Sequence, residues 1–105
     1  MHYIVNINND SVKISDTIKR KIYVRTLHFG DIDANSVKDL SIDISFCNFI
    51  SEPYIFTTIK YPSNPKYFNC IVYNSSSTNV TIRACNNYTA PTSDFRVHIL
   101  IIGAY

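Results

Sequence analysis

Val37-Lys38-Asp39-Leu40-Ser41-Ile42-Asp43-Ile44-Ser45-Phe46 alternates apolar and polar residues without a break. Leu40, Ile42, Ile44 and Phe46 point one way, and Asp39, Ser41, Asp43 and Ser45 the other. Strict period-two alternation gives a β-strand with one buried and one wet face. The two carboxylates on the wet face have no histidine or third acid beside them, so they read as ordinary solvated side chains rather than as an acid–base pair or a metal site.

The rest of the last two thirds of the chain repeats this pattern. After the turn Asn48–Pro53, Tyr54–Tyr61 is the next strand, with Ile55, Thr57 and Ile59 opposite Tyr54, Phe56 and Thr58. Pro62 and Pro65 bracket a loop, because proline cannot donate to a sheet ladder. Tyr67–Tyr73 and Asn79–Cys85 form a hairpin across Asn74–Thr78. Pairing Val72 with Val80 puts Phe68, Cys70 and Val72 on the same apolar side as Val80, Ile82 and Ala84. Asn86–Ser93 is a second polar loop. Asp94–Ala104 has an unbroken apolar stretch and is predicted to be central and buried on both faces.

Upstream, Tyr3–Asn8 and Ser11–Ser15 flank the turn signal Asn9-Asp10 and read as a hairpin. Ile18–Phe29 carries apolar residues on both faces (Ile22 and Val24 against Tyr23 and Leu27), which suits a strand lying between two layers or two subunits. The predicted fold is all-β, a small antiparallel β-sandwich without helices, repeats or linkers. It divides into N-terminal strands over 1–30 and a sandwich over 31–105, together one compact domain.

Composition narrows the function. With 105 residues the chain is one domain, and only 17% of it is charged, below the usual share of about 25%. The polar surface therefore comes from Asn, Ser and Thr, which suits sugars and protein neighbours. A net charge of +2 and the short run Lys19-Arg20-Lys21 do not make the concentrated basic face that nucleic acid needs. Met1–Ser15 lacks the apolar core of a signal peptide. The C-terminal run is too short to insert in a membrane as a helix.

Three cysteines, Cys47, Cys70 and Cys85, exclude a fully paired framework. The hairpin register puts Cys70 and Cys85 on opposite faces, out of bridging range. No Cys-x-x-Cys spacing or neighbouring histidine suggests zinc, and His2, His28 and His98 lie far apart. The triplets beginning at Asn9, Asn74, Asn79 and Asn87 match the glycosylation pattern, as expected by chance in a chain rich in Asn, Ser and Thr. Two glycines, Gly30 and Gly103, cannot build a phosphate-cradling loop. No nucleophile–base spacing appears. The chain is not read as an enzyme, and no cofactor or metal is expected.

The segments Asn35–Phe46, Phe49–Ile55, Tyr73–Ile82 and Val97–Tyr105 resemble, in order and spacing, the strands of the H-type lectin fold. That fold occurs in snail agglutinins, discoidin C-terminal domains and the tips of phage tail proteins. The resemblance covers about 31–105. The chain departs from the family where Leu100 stands in place of a tryptophan, and where Lys66 and Tyr67 occupy the neighbourhood of a sugar-gripping arginine.

The resemblance implies a non-catalytic domain that binds a cell-surface glycan and assembles as a homotrimer with sugar held where chains meet. It implies Asp33 and Asn35 from a first loop, Lys66 and Tyr67 from a second, and Asn86, Asn87 and Tyr88 from a third as sugar-binding residues. Carboxylates and amides hydrogen-bond hydroxyls, and a tyrosine ring packs on a pyranose face. Asn and Asp are also abundant in plain turns. The added N-terminal strands and unpaired thiols point to a virion, at a phage tail or fibre tip. A secreted or cytosolic lectin is the other location that the resemblance allows. The competing function is a trimeric structural domain of a virion or tail without glycan affinity, favoured by the doubly apolar strand and by eight tyrosines, since aromatics concentrate at interface cores.

Overall fold

In the computed structural model, strand follows strand. The structure describes the backbone of residues 2–7 and 10–15 and all of 19–105. β1 (His2–Ile7) and β2 (Asp10–Ser15) pair antiparallel, Ile7 opposite Asp10. The expected turn around Asn9 lies partly outside the described residues.

Six further strands build two stacked layers: β3 (Arg20–Ile32), β4 (Ser36–Asp43), β5 (Tyr54–Tyr61), β6 (Phe68–Ser75), β7 (Asn79–Asn86) and β8 (Thr92–Ala104). One sheet has the order β3-β8-β5, the other β4-β7-β6, and all pairings are antiparallel. The chain changes sheet at every connection except the β6–β7 hairpin. Such up-and-down travel collects the β3–β4, β5–β6 and β7–β8 loops at one end. β3 pairs with β8 along its length, so the sandwich starts at Arg20. The boundary drawn at 31 falls inside its first strand.

The core follows the period-two pattern. Ile42, Val80 and Ile82 from one sheet, with Ile44 just past β4, meet Leu27, Phe95, Val97 and Ile99 from the other, each at most 4% exposed. Phe29 and Phe95 pack edge to face at 5.9 Å, a geometry worth about 0.5–1.5 kcal/mol beyond area burial. Gly30, at φ +70°, sits in a β-bulge of β3. The extra residue switches the inward parity from Leu27 and Phe29 to Ile32. Lys38 Nζ donates to the Phe29 carbonyl at 2.6 Å and so satisfies a carbonyl beside the bulge.

Three expectations need correction. The strand beginning near Val37 stops at Asp43, where Asp43 Oδ1 accepts the Ser45 N–H at 2.9 Å. Ser45–Cys47 then forms a 3-10 turn, and Phe46 lies 59% exposed, edge-on to Tyr23 at 5.3 Å. Val72 pairs with Ile82, not Val80, because Tyr73 is an unpaired bulge and β6 runs on to Ser75. A shift by an even number keeps the predicted faces: Cys70 moves from Ile82 to Ala84 but remains on the apolar side, and Cys85 lies outward opposite Asn69. Finally, β8 is central but covered on one side only. Its outward Leu100 and Ile102 are half-buried and His98 is exposed, since among the described residues no layer covers the outside of its sheet.

Candidate functional site

All seven residues singled out from the sequence lie at the end where the three loops gather. The loops are tied to one another by backbone hydrogen bonds. Asn35 N donates to the Tyr88 carbonyl at 3.0 Å, and Asn87 N to the Tyr67 carbonyl at 2.8 Å. Asn35 itself turns the chain at φ 52°, a left-handed conformation that asparagine tolerates better than most residues. The Lys66 N–H donates to Asn64 Oδ1 at 3.1 Å, and the Tyr67 N–H to the Asn64 carbonyl at 3.2 Å, which shapes the second loop around one asparagine.

Asn86 is the organiser rather than a ligand group. It is fully buried. Its Nδ2 lies within hydrogen-bond distance of the carbonyls of Ile32 (3.1 Å), Asp33 (3.2 Å) and Ala90 (3.1 Å), and its Oδ1 accepts the Tyr88 N–H at 2.9 Å. An amide so engaged has nothing left to offer a sugar, so Asn86 leaves the candidate binding set. Its side chain binds two of the loops together and sets the direction of the third residue, Tyr88.

The exposed remainder is Asp33, Asn35, Lys66, Asn87 and Tyr88, with Tyr67 half-buried beneath. Tyr67 and Tyr88 meet edge to face at 4.6 Å, and Lys66 Nζ stands 5.3 Å from the Tyr67 ring centre. The tyrosine pair continues inward through Phe68 (6.4 Å from Tyr67) and Phe95 (6.3 Å from Phe68). A ladder of aromatic rings therefore anchors the loop end to the core and holds the Tyr88 ring in place. The surface offers one carboxylate, one ammonium, two amides and an aromatic edge. Among the described residues no group of three or more His, Cys, Asp or Glu side chains could hold a metal ion.

No protein-family model, curated protein or solved structure matches this chain.

Two depressions lie elsewhere, and none of the seven residues lines either. A groove of about 420 Å³ follows the seam between the edge strands β5 and β6. It passes Thr57, Pro62, Pro65, Phe68 and Cys70 and opens beside the second loop. A broader depression of about 660 Å³ lies on the outer side of the β3-β8-β5 sheet, over Val24, Arg25, Thr26, Phe56, His98 and Leu100. The seam groove is invisible in sequence because strands from different sheets line it. The outer depression had a signal, the doubly apolar reading of β3. No helix among the described residues is long and apolar enough to cross a membrane.

Proposed function

We propose that this chain is a non-catalytic carbohydrate- or receptor-binding domain of the H-type lectin kind, acting as a homotrimer at the tip of a phage tail or virion protein. The site is the loop end, with Asp33, Asn35 and Asn87 bonding hydroxyls, Lys66 an acidic or hydroxyl substituent, and the Tyr67–Tyr88 pair packing against a sugar face. What carries the reading is the cross-bonding of three loops into one surface on which neutral polar groups surround an anchored aromatic pair. Plain turns need no such mutual bonding.

A glycan array probed with the wild type and with Asp33→Ala and Tyr88→Ala variants tests it. Both variants are expected to lose at least tenfold in apparent affinity for any glycan that the wild type retains. Unchanged binding in both removes the assignment.

A second reading, a trimeric assembly domain without glycan affinity, is favoured by the apolar outer side of the β3-β8-β5 sheet. A wild-type oligomer that retains no glycan on the array would select it.

A further inference from the structure

The outer side of the β3-β8-β5 sheet is a block of three rows of three residues, set by the pairing register. Ile22, Ile102 and Tyr54 form one row, Val24, Leu100 and Phe56 the next, and Thr26, His98 and Thr58 the last. Ile22 is 67%, Val24 65%, Tyr54 76% and Phe56 59% exposed. Two aromatic and two branched aliphatic side chains open to this degree present roughly 500–600 Å² of apolar surface, with Leu100 and Ile102 adding to it. A stable interface buries about 800 Å² per partner, and a patch of several hundred Å² on one protomer is at the upper limit for a monomer.

The nine residues of the block carry no carboxylate, ammonium or guanidinium, and the one charged side chain lining the depression, Arg25, lies on the edge strand β3, so the apolar rows of two copies can meet without bringing like charges together. Its polar row is engaged locally: Thr26 Oγ1 lies 2.8 Å from His98 Nδ1. We infer that this face is an interface between copies of this chain, and that His98 makes the association acid-sensitive. The inference deepens the oligomer part of the function proposed above and does not depend on glycan binding.

The acid sensitivity follows from what surrounds His98. Thr26 faces it from β3 and Thr58 from β5, with Leu100 and Arg96 on its own strand. In the row beyond stand His28, Arg96 and Tyr61, where Arg96 Nη2 lies 3.3 Å from Asp94 Oδ2. Arg25 adjoins Thr26 on β3 and lines the same depression, and Lys60 stands two residues past Thr58 on β5. The charges near His98 are thus basic, apart from a carboxylate already held by Arg96. An imidazolium desolvated by a second copy would lack an acidic partner. Histidine is the side chain type that changes charge between about pH 5 and 8.

Sedimentation velocity at about pH 7.5 and about pH 5, across a concentration series, tests both parts with the range set by histidine chemistry. The wild type is expected to be oligomeric at the higher pH and to dissociate at least tenfold more readily at the lower. Phe56→Asp and Val24→Asp, both open in the protomer, should give folded monomers by circular dichroism, and His98→Gln an oligomer indifferent to pH. Arg83→Ala, on the outer side of the other sheet, should leave association intact, and glycan retention measured on the same samples separates failure of this inference from failure of the glycan site. A monomeric wild type, an oligomer untouched by Phe56→Asp, or wild-type monomers that bind anionic lipid vesicles through this face would overturn the interface. Equal association at both pH values would overturn the role of His98.

Discussion

Asn86 Oδ1 accepts the backbone N–H of Tyr88 at 2.9 Å, so the residue that presents an aromatic ring to solvent is positioned by a side chain with no exposure at all. The same amide faces three carbonyls from two other segments. Replacing Asn86 with Ala would strand these groups in a buried site, at about 1–3 kcal/mol for the unsatisfied polar atoms. Asn86→Asp should cost at least as much, because a carboxylate cannot donate. Urea denaturation measures the loss, and under the proposed function glycan affinity should fall with it. A stability loss near zero in both variants would contradict the organiser role.

At the opposite end, Gly103 is needed for space. A methyl built there would stand 2.5 Å from Phe49 Cδ1, and Phe49 is itself only 7% exposed. Gly103→Ala should destabilise by about 1–3 kcal/mol through overpacking. In the Phe49→Leu background the added cost should shrink, since the ring that clashes is gone. Thermal melts of the four variants of the cycle report the coupling.

Outside the β4-β7-β6 sheet, Arg83 grips Asp39 through two bonds, Nε–Oδ1 at 2.9 Å and Nη2–Oδ2 at 3.0 Å, while its guanidinium stacks 3.7 Å from the Tyr73 ring centre. The hydrogen bond from Arg83 holds the Asp39 carboxyl below its usual range. Hydrogen bonds from Ser45, side chain first and backbone second, do the same for Asp43. A carboxyl depressed in the folded state stabilises above its unfolded pKa of about 3.9 and loses that contribution as pH falls through the folded value. Denaturation midpoints should therefore decline below about pH 4, within the carboxylate range. Asp39→Asn should flatten part of that decline and leave the part due to Asp43. A wild-type and variant pair with parallel acid limbs would contradict the linkage.

Cys85 lies on the outer side of β7, level with Val37 and Asn69, and half-buried. Burial pushes its thiol up, with Cys70 and Asp39 adding and Arg83 opposing. Since the thiolate is the reactive form, Cys85 should alkylate several-fold more slowly in the native protein than in urea at mildly alkaline pH. Cys47, 3% exposed, should react more slowly still. Mass spectrometry of iodoacetamide-labelled peptides gives the rates, and equal rates for Cys85 in both states would refute the prediction.

A local period of two determined where most of the strands lie and which side of β4, β5, β6 and β7 faces inward; it failed at Phe46, which lies in a 3-10 turn, and at β8, which was expected to be covered on both faces. Leu40, Ile42 and Ile44 turned inward, and Cys70 and Cys85 fell on opposite sides even though the hairpin register moved, since a slip by an even number preserves faces. The residues also marked which loops carry polar and aromatic groups. Only the tertiary structure decided that these loops share one end, that Asn86 is buried among them, and that β8 is bare on one side. Each of these depends on which distant strands pair and on how many layers cover them. Pairing partners and layers are set by long-range burial over the whole chain, and a local pattern of hydrophobicity does not contain them.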